Sequence, residues 1–196
     1  MNRKTTPKVK DGRVQKKNRH DLTPNYWNTR QKILQIDIEN PGKGFKHFLK
    51  KSDIIKFLEI LPNWEEIKVE FDAILLAEGG NLDGWYSNGV IGICAWDKNM
   101  TTSYNKTYFD EHKEIFNRLK IIYEIKKDGV ICHFNENQIK AYQLLHILLH
   151  EIGHHHDRIN TKSRRSSAKG ETYAEDYALK YEKKIWTKYF ETFEMI

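Results

Sequence analysis

A chain of 196 residues with 39% hydrophobic side chains has enough apolar material for one core, which excludes a wholly disordered or fibrous protein. Its net charge of +6 is local: residues 1–20 carry eight Lys or Arg against one acid, Asp11, and the remainder is close to neutral. No run of about 18 apolar residues exists for a membrane span, and residues 1–20 lack the apolar segment of a secretory signal, so no membrane partner and a cytoplasmic address are expected.

Residues 1–20 read as a flexible basic tail, with a nucleic-acid backbone as one partner it could contact, and residues 21–196 as one folded domain. Alternation around Ile36 and Ile38 predicts a short strand, and "NPGKG" a turn after it. Ser52 suits the N-cap of a helix over "DIIKFLEIL", which Pro62 limits. Ile67, Val69 and Phe71 alternate before a continuous apolar run, predicting a strand closed by Gly79 and Gly80, with "GWYSNGVIGICAW" as its neighbour. Residues 110–119 fit a short helix, and "KIIYEIKKDGVICHF" a hairpin turning at Asp128 and Gly129. A long helix is predicted from Asn135 or Asn137 to about Asp157. After the basic loop "NTKSRRSSAKG", the segment "ETYAEDYALKYEKKIWTKYFETF" predicts a last amphipathic helix. Mixed strands followed by helices predict an α+β domain: a small, antiparallel-rich twisted sheet packed on the long helix and on the last one. Cys94 and Cys132 lie in apolar runs and are expected as reduced core residues.

The long helix contains "LLHILLHEIGHHHDRI", in which His150, Glu151 and His154 spell H-E-x-x-H. Residues four apart lie one above the other on a helix, so two imidazoles can reach one Zn²⁺ while the adjacent glutamate faces a metal-bound water as general base. Two buried histidines and an unpaired buried glutamate would otherwise be costly. The pattern is short, so a third ligand is the test. Asn160 stands where metzincins place a third histidine and Asp157 where they place glycine. No histidine follows His156. In "GETYAEDYALKY", Glu171 opens a helical pattern that a turn could bring back antiparallel to the first helix, making it the expected third ligand. Glu175, one turn later on the same face, could accept the Nδ1 proton of a ligand histidine. His146 is expected as a packing histidine or as support for a ligand, and His155 and His156 as partly exposed residues near the helix end.

"HEIGH" followed by "ETYAEDYA" resembles the gluzincin zinc peptidases, in particular the compact minigluzincin and ImmA/IrrE-like ones. The resemblance covers residues 144–178. It implies a zincin-like fold, zinc held by His150, His154 and Glu171, Glu151 as general base, Glu175 as a supporting acid, and peptides or proteins as substrates. Tyr173 before Ala174 departs from the acidic or amide residue common there, which leaves Glu171 and Glu175 as alternatives for the third ligand, with Glu171 favoured. For the oxyanion donor, Tyr86, Tyr173, Tyr177 and His133 are available without a preference among them. An edge strand to hold substrate could come from "VIGICAW" or "VICHF".

Competing readings are a peptide deformylase, whose third ligand would have to be Cys94 or Cys132, a non-catalytic zinc-containing binding protein, and a nucleic-acid-associated protein acting through its tail. The loop with Lys162, Arg164, Arg165 and Lys169 could attract acidic substrates or a phosphate backbone.

Overall fold

The computed structural model describes residues 24–161 and 169–194, with the backbone of a two-residue tail ladder, β1 (Val9–Lys10) against β2 (Arg13–Val14). The contacts expected of the tail and of Lys162, Arg164 and Arg165 lie outside the described residues.

The chain enters its main sheet at β3 (Gln35–Ile38), turns through Gly42 and Gly44, both at positive φ, and forms the short β4 (Phe45–Lys46). Helix α1 (Lys51–Ile60) follows. Ser52 is not its N-cap: that position is Lys50, two residues earlier, and Asp53 closes the first turn by accepting from the Lys50 amide at 2.9 Å. A carboxylate at the third helical position can reach back to that amide, and this bond sets the start of the helix ahead of the serine. The segment expected as the start of a long strand is instead a single turn, α2 (Trp64–Ile67), and only Ala73–Ala77 forms β5. Glu70 at φ +57° reverses the chain between them, so the alternation of Ile67, Val69 and Phe71 is a turn with two buried residues rather than a pleat.

The hairpin β6 (Gly84–Ser87) and β7 (Val90–Cys94) turns at Asn88 and Gly89, both at positive φ as such two-residue turns require. The sheet order is β3-β5-β7-β6, with β3 parallel to β5, β5 parallel to β7, and β6 antiparallel to β7. This central sheet is therefore mixed rather than antiparallel-rich, because α1 carries the chain over between β3 and β5. Every residue of β5 and β7 is buried, as strands covered on both faces must be.

Short β8 (Trp96–Asp97) pairs with β4. Strand β9 (Thr101–Tyr104) leads into α3 (Lys106–Arg118), which starts one turn before the expected residue 110 because Asn105 caps it, accepting from the Tyr108 amide at 2.8 Å. Strands β10 (Ile122–Ile125) and β11 (Val130–His133) form the expected hairpin, and β11 also pairs with β9 in a three-stranded antiparallel sheet. The expected long helix runs as α4 (Glu136–Tyr142), a π-helical segment (Gln143–Leu148) and α5 (Leu149–Asn160), with Asn135 and Gln138 forming a reciprocal capping box. Helix α6 (Gly170–Thr192) closes the chain. The architecture is α+β. Among the described residues no helix is long and apolar enough to cross a membrane.

Ile74, Leu76, Ile91 and Ile93 of the sheet share one core with Leu144, Leu148 and Ile152 of the long helix and Ala178, Ile185 and Tyr189 of α6. Each fully buried aliphatic side chain contributes about 1.5–3 kcal/mol. Helices α5 and α6 pack tightly at Gly153, where a Cβ would stand 2.7 Å from Ala174 Cα and 3.1 Å from Tyr177 Cβ. That contact positions the start of α6 against the H-E-x-x-H turn.

Candidate metal centre

Helix α5 presents His150 and His154 on one face, and α6 brings Glu171 across from it. Glu171 Oε2 lies 3.1 Å from His150 Nε2 and 3.4 Å from His154 Nε2. Ligands held tetrahedrally at about 2.0–2.1 Å from zinc stand about 3.3 Å apart, so these spacings fit a common ion. The tautomer fits as well. Glu175 Oε2 accepts from His150 Nδ1 at 3.2 Å, which leaves Nε2 facing the Glu171 carboxylate with a lone pair, an arrangement that is repulsive unless a cation lies between them. Burial disfavours the charged imidazole, but Glu175, Glu151 and Glu171 outweigh it and raise the His150 pKa. Burial and the neighbouring His150 lower that of His154.

Glu151 is 7% exposed, and burial, opposed by His150 and augmented by the charge on Glu171, pushes its carboxyl up to about 7. It lies under the start of β6: a Cβ on Gly84 would stand 3.0 Å from Glu151 Oε1 and 2.6 Å from Ile147 Cγ2. Only glycine lets the strand pass this close to the helix. The four residues line a cleft of about 1230 Å³ bounded by Gly84, Trp85 and Tyr86 of β6, by Tyr104 and Tyr108, and by α6.

The start of α6 is tied to the end of α5. Asp157 Oδ2 accepts from the amides of Lys169 at 2.7 Å and Gly170 at 3.3 Å, and Oδ1 from Thr161 Oγ1 at 3.2 Å. Lys169, the helix's own cap residue, offers no side-chain cap, so Asp157 supplies one from the neighbouring helix and thereby fixes Glu171 in the first turn. Among the loop's basic residues, Lys169 places its amine 4.4 Å over the Tyr173 ring.

Several expectations are corrected. His155 is not partly exposed but wholly buried: its Nε2–H donates to the carbonyls of Ile67 and Val69, each at 3.0 Å, and Nδ1 accepts from the Tyr86 hydroxyl at 3.3 Å. The turn that replaces the expected strand leaves those carbonyls in need of a donor. His156, by contrast, is partly exposed as expected, and hydrogen-bonds the Tyr173 hydroxyl at 2.7 Å. Neither "VIGICAW" nor "VICHF" offers a substrate edge, since β7 and β11 are both central strands; the edge strands beside the cleft are β6 and β9. None of the four oxyanion candidates aims a donor into it. Tyr86 lines the cleft with its ring, stacked on His154, while its hydroxyl is held by Arg158, His155 and the Gly89 amide. Tyr173 is engaged by His156, the Tyr177 hydroxyl is buried away from the cleft, and His133 bonds Glu124 and Thr101 in the other sheet. Cys94 and Cys132 are free and buried, and among the described residues neither joins a potential metal-binding group.

Three residues of the site region carry no recognised sequence signal: Gly153, Asp157 as a cap, and His112 on α3. His112 lies far from the motif in sequence, and only the packing of α3 brings it into the cleft lining. Protein-family models, curated proteins and solved structures were compared with the chain, and none matches it.

Proposed function

We propose that this protein is a zinc-dependent metallopeptidase of the gluzincin kind, with a zincin-like arrangement of a mixed sheet over two ligand-bearing helices. The observation that carries the reading is the convergence of His150 Nε2, His154 Nε2 and Glu171 Oε2, at ligand spacing, beside a buried glutamate in the floor of an open cleft. Three protein ligands with a fourth position left to solvent or substrate is the donor set of catalytic rather than structural zinc.

Zinc bound there would supply a Lewis acid that acidifies water and polarises a carbonyl. Glu151, poised near neutrality by its burial, takes the proton from the attacking water and delivers it to the departing amine. Glu175 holds the Nδ1 proton of His150 and so keeps Nε2 turned to the ligand position. The substrate backbone adds to the outer edge of β6, whose residues Gly84, Trp85 and Tyr86 border the cleft. A cytoplasmic setting suits the two free cysteines.

The test is digestion of unfolded casein and of a quenched-fluorescent peptide library by the zinc-loaded chain. Cleavage by wild type that is lost in Glu151→Gln, lost on chelation and restored by added zinc is the expected result. Absence of cleavage across the library, or equal cleavage by Glu151→Gln, would remove the peptidase reading.

A further inference from the structure

A second group of donors lies in the same cleft, and it includes a side chain of the site just described. His112 from α3, His146 from the π-helical segment and Glu175 from α6 bring one donor atom each to within 4.8 Å of one another. His112 Nε2 stands 3.8 Å from Glu175 Oε1, and His146 Nε2 stands 3.8 Å from Glu175 Oε2. These separations are too long for hydrogen bonds. They are about half an ångström beyond the ~3.3 Å spacing of tetrahedral zinc ligands, a gap within the reach of a glutamate side chain.

The chemistry of each member points to a missing cation. His112 Nδ1–H donates to the Tyr108 carbonyl at 2.7 Å, the tautomer-fixing bond that metal-bound histidines commonly make. Its Nε2 therefore turns a lone pair toward a carboxylate. His146 is 3% exposed and makes no hydrogen bond to any described residue; its Nδ1 is buried and unpartnered, as is Glu175 Oε1. The buried His146 imidazole turns its Nε2 toward Glu175 Oε2. Its ring is fixed edge-on to His112, 4.5 Å between centroids, and is stacked on Tyr142. Two buried imidazoles aimed at one carboxylate, with nothing between them, leave an electrostatic deficit that one divalent ion would fill.

We propose that His112, His146 and Glu175 form a second divalent-metal site, for zinc or a similar nitrogen-preferring first-row ion. The open cleft that both groups line is its entry path. Because Glu175 also accepts from His150 Nδ1, the second ion fixes the carboxylate that orients a ligand of the first and couples the two sites. Occupancy of this site does not depend on hydrolytic activity.

The experiment is titration of the chelator-stripped full chain with Zn²⁺ against a competing chromophoric chelator, which masks weak surface histidines. Two equivalents are expected in wild type. His112→Gln and His146→Gln should each retain one, the equivalent that His154→Gln removes, and the double variant His112→Gln/His154→Gln should bind none. The retained equivalent in His112→Gln also reports that this variant is folded. One equivalent in wild type, lost in His154→Gln and untouched by His112→Gln, overturns the second site and leaves the proposed peptidase standing. One equivalent lost in His112→Gln but kept in His154→Gln would do the reverse, and no binding would overturn both.

Discussion

Helix α5 has two polar faces, and they are treated differently. On one, His155 and Arg158 are buried and satisfied: His155 is bonded on both ring nitrogens, and Arg158 reaches the Glu70 carboxylate at 3.1 Å, the Glu70 carbonyl and the Tyr86 hydroxyl. On the other, His150, His154 and Glu151 turn into a cleft, where both imidazoles converge on the Glu171 carboxylate. Buried polar groups are ordinarily paired. The first face obeys that rule through backbone carbonyls and a fixed ion pair; the second pairs its imidazoles with Glu171 and Glu175, at the spacing of metal ligands and open to a cleft. Residue type alone does not separate the two, since consecutive histidines, 154 and 155, fall on opposite sides of the distinction.

The sharpest way to break this contrast is on the open face. Glu151→Gln should leave zinc binding and folding intact and lower the peptide-hydrolysis rate by about 10²–10⁴-fold, the range for loss of a general base; a rate within a few-fold of wild type would return Glu151 to the ranks of buried structural acids.

The closed face should announce itself through pH. Burial, then the charge of Arg158, lowers the His155 pKa from 6.5 to about 4. Between these values the unfolded chain binds the proton and the folded chain does not, so stability rises with pH across this window and is lost as pH falls from about 6.5 to 4. The change is about 3 kcal/mol. Urea unfolding of the metal-free chain at a series of pH values should show this slope in wild type and its flattening in His155→Gln. An equal slope in both would mean that the closed face is not what acid attacks.

The junction between the faces is Gly153. Substitution by valine should cost about 1–3 kcal/mol by overpacking against Ala174 and should weaken zinc binding through displacement of Glu171, measured by thermal unfolding and zinc competition on the same samples. The smallest effect is expected of Asp157→Ala, about 1 kcal/mol for a lost cap, with a modest loss of zinc affinity that Asp157→Asn partly restores. A loss of stability without any loss of affinity would show that Glu171 does not need its clamp.

Much of the open face is legible in the local sequence, and the limits of that legibility have physical causes. His150, His154 and Glu151 share one helix, so helical spacing alone relates them, and the amphipathic run at Glu171 places a carboxylate pair on the next helix; the fold brings Glu171 and Glu175 to opposite nitrogens of His150. The extent of the last helix and the hairpin at Asp128 and Gly129 also follow from local signals. Strand order does not. β7 reads as a possible edge because its sequence says nothing of β6 folding back outside it. The alternation at Ile67 to Phe71 mimics a strand because a turn can bury two of its three apolar residues, Ile67 and Phe71, and the decisive sign, Glu70 at positive φ, has no residue signature. His112 is silent in the sequence because the contacts that bring it to the cleft are non-local.

The π-helical segment at Gln143–Leu148 carries a further consequence. A π turn spends about one residue more than an α turn, so it acts as a phase shifter in the middle of a single rod. Rewinding the same six residues as ordinary α-helix would rotate everything downstream by about 100° relative to α4, swinging His150 and His154 off the cleft without changing a residue, whereas deleting one residue there would restore ordinary winding and keep their aim. The aim of the motif is thus written upstream of it, in a residue count.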